Sequence, residues 1–341
     1  MKQRRILYID VIKIIACFLV IVNHTNSRIF LSGSPSATWI ASLTYFFISK
    51  PAVPLFILTS GAMVLNKDYS YKDVFLKILR VIAVLFVFSL LYYFVFQETN
   101  WTTFKSFLVH LPTTPITNAY WYLYLYLGLW ILFPILNKLA GGMDKKTFWY
   151  LTSLTLILGM APIVLHYVPA IDLDDKLQSI NIAAYVVTFL AGFYLHHQCQ
   201  LKTKKSVVIS AFAIAGIILA LLAATYIEYL HDPKYYLFFS NKNSPLILVM
   251  AGLIFLLIKY IFSRIQIGDK GTKVITALGN ATFGIYLLSD LFIYKFEYIL
   301  DSINGAFPPM AAIVLFQLAV FGAGFLITYL LRKIPFVAKF I

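Results

Sequence analysis

The chain has 341 residues, of which 61% are hydrophobic and only 12% are charged, and its formal net charge is +14. A soluble globular domain carries roughly 25% charged residues, so the composition excludes an ordinary soluble protein and indicates a helical membrane protein. The two cysteines are too few to build a disulfide framework.

Apolar segments long enough to cross a bilayer follow one another along the whole chain. The predicted spans are residues 6–25, 40–65, 75–96, 121–137, 148–167, 181–197, 206–226, 246–262, 274–293 and 310–331. The predicted fold class is therefore an all-α polytopic membrane protein with about ten transmembrane helices. We expect a single domain over residues 1–341, without an appended soluble domain.

Most of the 28 lysine and arginine residues fall on one side of the membrane if the N-terminus is cytoplasmic. This asymmetry predicts that both termini face the cytoplasm and that the protein is a multi-pass protein of the cell membrane. The basic excess then serves orientation and contact with anionic lipid, so we expect membrane lipid as a partner and no nucleic acid.

The first span, "DVIKIIACFLVIVNHTN" from Asp10 to Asn26, contains three ionisable groups. Lys13 and His24 are eleven residues apart and share a helix face, and Asp10 can pair with Lys13. Taken singly, these side chains could simply reach the headgroups at either end. Their alignment favours a shared interior cavity, where intramembrane charges normally lie, and a histidine there suits a general base.

The second and third spans contain further polar candidates. The prolines of "KPAVPLFILTSGAMVL" predict a helix break, which membrane helices tolerate where it lines a cavity. Ser60–Gly61 fits a substrate contact or close helix packing equally well. Lys77 and Arg80 share one face of "KDVFLKILR", where they could either contact lipid or bind the phosphates of a cytosolic cosubstrate.

Aromatic and hydroxyl groups mark two later spans. Trp121, at the outer end of "AYWYLYLYLGLWILFPIL", is either an interfacial anchor or a surface on which a substrate stacks. In "LGNATFGIYLLSDLFIY", Tyr286 and Ser289 share a face. Asp290 falls at about the depth of His24, where it could orient the imidazole or end the helix. The chain has no Walker A sequence, no HExxH and no pair of CxxC motifs, so we expect no metal.

These segments together resemble the acyltransferase 3 family of bacterial integral-membrane acyltransferases. The resemblance covers nearly the whole chain and is most specific in the first, second and ninth spans. It implies that His24 is the catalytic histidine, that Asp10 is the acid ahead of the basic residue, and that Lys13 replaces the usual arginine. Ser60–Gly61 matches the family's serine–glycine pair, and Ser289 stands where a second histidine is common.

The resemblance also implies a reaction. An acyl group, usually acetyl from acetyl-CoA, would pass from the cytosol to a hydroxyl of a cell-surface glycan or a lipid-linked sugar precursor. A separate extracellular protein could accept the acyl group, because some relatives carry an extracytoplasmic domain. We therefore expect Asp10, Lys13 and His24 in catalysis, Lys77 and Arg80 on acyl-CoA, and the following residues on the substrate: Ser60, Trp121, Tyr286, Ser289 and Asp290.

The residues are also compatible with two other functions. Broken helices with intramembrane ions also suit a transporter or flippase for a polysaccharide or lipid-linked sugar. A small-molecule permease or a sensor is the third interpretation. Loss of His24 would distinguish them, because an acyltransferase needs its base whereas a flippase can tolerate the loss.

Overall fold

The computed structural model describes residues 5–97, 100–165, 178–233 and 244–341. This part of the chain contains helices and no β-strand, which confirms the predicted all-α class. The α-helices are α1 (Leu7–Thr25), α2 (Ser27–Phe30), α3 (Ala37–Ser49), α4 (Ala52–Val64), α5 (Tyr71–Phe96), α6 (Trp101–His110), α7 (Trp121–Gly142), α8 (Lys145–Leu165), α9 (Gln178–His197), α10 (Lys204–His231), α11 (Pro245–Arg264), α12 (Asp269–Lys295), α13 (Glu297–Asn304) and α14 (Pro309–Leu331).

Within the described residues, 8 helical segments are long and apolar enough to cross a membrane, so the chain is a multi-pass helical membrane protein. They coincide with the first four and the last four predicted spans. The predicted spans at 148–167 and 181–197 fall on α8 and α9, and the residues between these two helices lie outside the described part. The total of ten spans and the side on which the termini lie therefore stay predictions.

Several helices are longer than the predicted spans, because hydropathy marks the hydrocarbon layer rather than the helix end. For example, α12 begins at Asp269 and α10 ends at His231, both several residues beyond the predicted limits. The short helices α6 and α13 lie between predicted spans. The Asn100 side chain accepts a hydrogen bond from the Thr103 N–H and caps α6.

The predicted break in the second span is confirmed. Helix α3 ends at Ser49 and α4 begins at Ala52, with Lys50 and Pro51 between them. Proline cannot donate a backbone hydrogen bond, and its ring clashes with the preceding turn, so it favours the first turn of a helix and tends to kink or break a helix elsewhere. Pro51 and Pro54 therefore end one helix and begin the next near the middle of a 28-residue span.

Helices α4 and α9 pack with their backbones in contact through a pair of glycines. A methyl group on Gly61 would lie 1.8 Å from the carbonyl oxygen of Phe189, and one on Gly192 would lie 2.0 Å from that of Leu58. Small residues allow such close approach between membrane helices. The glycine of the Ser60–Gly61 pair therefore has a packing role.

Helix α1 lies at the centre of the bundle, in contact with α3, α4, α11, α12 and α14. Its approach to α12 is close because Gly279 has no side chain. A methyl group at Gly279 would lie 2.8 Å from the Cβ atom of Asp10. The first and the ninth predicted spans are therefore direct neighbours, which brings their polar residues together.

We expect Gly61→Ala to lower the melting temperature of the detergent-solubilised protein, because the added methyl meets backbone that cannot rotate away. Overpacking of this kind costs about 1–3 kcal/mol. Gly216→Ala on α10 is the control, since nothing lies within 4 Å of a methyl group there and alanine is the better helix former by about 1 kcal/mol. Equal melting temperatures for the two variants would contradict the packing described for α4 and α9.

Candidate active site

The described residues form two adjoining cavities inside the bundle. The first, the basic cavity, has a volume of about 400 Å³, and its polar lining includes Lys13, Ser60, Lys77, Arg80, Asn280 and Arg332. The second, the histidine cavity, has a volume of about 300 Å³, and its polar lining includes Asn23, His24, Ser49, Lys50 and Trp121. Lys13 and His24 therefore line two neighbouring cavities. The prediction that they share one cavity is wrong.

A layer of aromatic rings separates the two cavities, since Phe56, Tyr122 and Tyr286 line both. The Tyr122 ring centroid lies 6.0 Å from that of Phe56 and 5.9 Å from that of Tyr286. The Tyr286 hydroxyl donates a hydrogen bond of 2.6 Å to the carbonyl of Ala119. These rings belong to α4, α7 and α12, so three helices build the partition.

His24 is held at the end of α1 by a buried carboxylate. Its Nδ1 atom lies 3.0 Å from Oδ1 of Asp290, and Asp290 is only 1% exposed. Oδ2 of Asp290 accepts hydrogen bonds from the Ala119 N–H at 3.1 Å and from the Thr117 hydroxyl. A carboxylate on Nδ1 leaves Nε2 of the imidazole available to a substrate, which is the arrangement of a general base and its orienting acid.

Two tyrosines fix the α12 backbone on either side of Asp290. The Tyr92 hydroxyl accepts from the Leu291 N–H at 2.7 Å and donates to the Leu287 carbonyl at 3.2 Å. The Tyr120 hydroxyl donates to the same carbonyl at 2.8 Å. The carboxylate therefore sits on a backbone segment that α5 and the 118–120 turn hold in place.

The chain that follows His24 is fixed as well. The Asn26 side-chain amide donates to the Ser42 carbonyl at 2.5 Å, and the Ser42 hydroxyl donates to the Asn26 carbonyl at 3.2 Å. The Gln317 amide donates to the Thr25 hydroxyl at 2.8 Å. Helices α3 and α14 therefore secure the end of α1, and with it the position of the imidazole.

At the other end of α1, Asp10 binds two cations. Its Oδ1 atom lies 3.0 Å from Lys13 Nζ, and its Oδ2 atom lies 2.5 Å from Arg5 Nε. Arg5 also donates to the side-chain oxygen of Asn280 at 2.9 Å. The predicted Asp10–Lys13 pair is confirmed. Asp10 is only 4% exposed and does not line either cavity, so its geometry suits positioning of the cations rather than contact with a substrate.

The predicted substrate residues divide into two groups. Ser60, Trp121 and Tyr286 line a cavity, whereas Ser289 and Asp290 do not. The Ser289 hydroxyl donates to the Tyr286 carbonyl within its own helix at 2.9 Å, and the residue is 1% exposed. Such back-bonding is usual for serine in helices, and substrate contact by Ser289 is not supported. Asp290 reaches the histidine cavity only through His24, which supports the orienting role considered for it.

The chain matches a known protein family over nearly its whole length. Residues 6–333 match the model of a family described as an acyltransferase domain, Acyl_transf_3. The chain belongs to the acyltransferase 3 family. No curated protein and no solved structure matches the chain. Family membership supports acyl transfer within the membrane as the activity of this protein.

Sequence reasoning missed several residues of this acyltransferase 3 site. Arg332 lines the basic cavity, but in the sequence it is one of many basic residues that flank spans. Thr117 and Arg5 bind the two buried acids from segments that carry no motif. In the described part of the chain, no group of three or more His, Cys, Asp or Glu side chains could hold a metal ion.

We expect Asp290→Asn to reduce the rate of acyl transfer about 10⁴-fold, because an amide no longer fixes the imidazole with its proton on Nδ1. Transfer is measured with a radiolabelled acyl donor, and the melting temperature shows whether the variant folds. Glu297→Gln is the matched control, since Glu297 pairs with Arg28 at the surface beyond the same helix. Full activity of a folded Asp290→Asn protein would remove Asp290 from the mechanism.

Proposed function

We propose that this protein transfers an acyl group, and an acetyl group in particular, from cytosolic acyl-CoA to a hydroxyl of a cell-surface glycan or its lipid-linked precursor. The observation that carries the proposal is the His24–Asp290 pair, which faces a cavity one aromatic layer away from a cavity lined by cations. Such an arrangement lets donor and acceptor approach from opposite ends of the bundle.

The donor side rests on the charge of the basic cavity. Coenzyme A carries phosphates, which arginine and lysine side chains bind through charge-assisted hydrogen bonds. Lys77, Arg80 and Arg332 line this cavity together with Lys13. The distribution of basic residues predicts that this end faces the cytoplasm, where acyl-CoA is found.

The acceptor side rests on aromatic and hydroxyl groups. Trp121 and Tyr122 line the histidine cavity and offer flat apolar faces to a sugar ring. A further cavity of about 480 Å³ lies beside α6, with a lining that includes Thr102, Thr103 and Ser106. Hydroxyl side chains both donate and accept hydrogen bonds, which suits a ligand rich in hydroxyl groups.

The reaction follows from general base catalysis. Nε2 of His24 removes the proton of the acceptor hydroxyl, and the oxygen attacks the carbonyl carbon of the thioester. A carbon–oxygen bond forms and the carbon–sulfur bond breaks. The sulfur leaves with the electron pair and takes the proton from the imidazolium, so free CoA and an ester are the products. Direct attack is the simpler route, and acylation of His24 itself is the alternative.

A transporter or flippase remains the second candidate. The broken second span and two cavities on either side of a thin partition are also features of alternating access. The two functions differ in their need for His24, because transport of a sugar requires no proton transfer from the acceptor.

We expect purified protein in nanodiscs to release CoA from radiolabelled acetyl-CoA, and His24→Ala to lower the rate at least about 100-fold, the usual contribution of a general base. His231→Ala is the control, because that imidazole lies at the exposed end of α10 and bonds to the Ile227 carbonyl. Label retained on the wild-type protein after denaturation would indicate an acyl-enzyme. Equal rates of CoA release in wild type and His24→Ala would exclude His24 as the base, whereas the absence of any acetyl-CoA binding would favour the flippase.

We expect Lys77→Met and Arg80→Met each to raise the KM for acetyl-CoA about 10- to 100-fold, since a hydrogen bond to a charged group contributes about 1.5–3 kcal/mol. The kcat should change little, because these side chains lie in the basic cavity away from His24. Lys72→Met is the control on the same helix, where Lys72 is exposed. An unchanged KM in both variants would show that the pair contacts only lipid.

A further inference from the structure

Lys50 lies at the break between α3 and α4 and lines the histidine cavity together with His24. Its ammonium nitrogen lies 3.9 Å from the centroid of the Phe46 ring, one turn earlier in α3. This cation–π contact restrains the long side chain. The helix break therefore places a cation in the cavity that holds the candidate base.

The position of Lys50 within the second span indicates a functional role. Lys50 lies near the middle of the 28-residue segment Ala37–Val64, which is long and apolar enough to cross a membrane. A lysine at such depth is costly, and where one occurs it normally faces a cavity and takes part in function. Lys50 fits this pattern, since it lines the histidine cavity.

The cavity also offers a hydrogen-bond acceptor. The side-chain oxygen of Asn23 is buried and has no hydrogen-bond partner in the described part of the protein, and Asn23 lines the same cavity. Buried polar atoms are rarely left unpaired. The cavity therefore combines a base, a cation and an acceptor, which suits a polar ligand that carries a hydroxyl.

We propose that Lys50 stabilises the negative charge that develops on the acyl carbonyl oxygen during transfer. This inference rests on the proposed function. When His24 takes the proton of the acceptor hydroxyl and the acceptor oxygen adds to the carbonyl carbon, the carbonyl oxygen gains the charge. It loses this charge when the carbon–sulfur bond breaks and sulfur takes the electron pair and the proton from His24. Lys50 keeps its proton throughout.

Lys50 can stabilise the developing oxyanion because of the environment in which this charge forms. A fixed cation stabilises a developing oxyanion far more in a site that excludes water than in bulk solvent. Among the described residues that line the histidine cavity, Lys50 is the one lysine or arginine. His24 acquires a positive charge in the same step, but it must remain free to return its proton to the sulfur.

The test compares Lys50→Met and Lys50→Arg with wild type in the acetyl-CoA assay. We expect Lys50→Met to lower kcat about 10²–10³-fold, as loss of an oxyanion donor does, while the KM and the Kd for acetyl-CoA stay within about twofold. Lys50→Arg keeps the charge and should retain at least about a tenth of the wild-type kcat. Lys333→Met is the matched control, because Lys333 also lies over a ring, at 5.2 Å from the Tyr329 centroid, but outside the histidine cavity.

Three results would overturn the proposal. An unchanged kcat in Lys50→Met excludes a role in the transition state. A raised KM with unchanged kcat shows that Lys50 binds substrate in the ground state. A lower melting temperature that Lys50→Arg does not restore shows that the contact with Phe46 is structural. The proposed function itself fails if the wild-type protein shows no turnover of acetyl-CoA, or if its turnover does not depend on His24. In either case the role of Lys50 fails with it.

Discussion

The contact between α1 and α12 positions the polar groups of the candidate site. The two helices are joined by polar groups at both ends, where His24 meets Asp290 and where Arg5, bound to Asp10, reaches Asn280. Gly279 permits the close approach. Asp10 and Asp290 are both buried, and a buried carboxylate that loses its hydrogen-bonding partners pays a desolvation cost, so both ends resist separation of the helices.

The separation of the two cavities follows from this contact between α1 and α12. Between its polar ends, α1 faces α12 through buried groups such as Cys17, whose thiol donates to the Thr282 carbonyl at 3.4 Å. Lys13 and His24 therefore lie on one helix but reach different cavities. The aromatic partition of Phe56, Tyr122 and Tyr286 supplies the barrier that a membrane enzyme needs if donor and acceptor arrive from opposite sides.

Local features were predictable from the sequence. The helix break at Pro51 depends on a ring without an N–H, and the Asp10–Lys13 pair depends on helical spacing, so both are visible in a few residues. The partition was not predictable, because its rings come from three helices whose arrangement no single segment encodes. Arg332 and Thr117 were missed for the same reason. Substrate contact was predicted for Ser289 because it shares a helix face with Tyr286. A shared face does not reveal whether a hydroxyl donates a hydrogen bond back to its own helix.

We propose that a donor held in the basic cavity presents its acyl carbon through the aromatic partition to His24. The most direct test is a structure determined with a non-hydrolysable thioether analogue of acetyl-CoA. We expect phosphates beside Lys77 and Arg80, and the acyl end among Phe56, Tyr122 and Tyr286, facing Nε2 of His24. Phosphates bound at the His24 end of the bundle, or an acyl end that remains in the basic cavity with the partition closed, would contradict it.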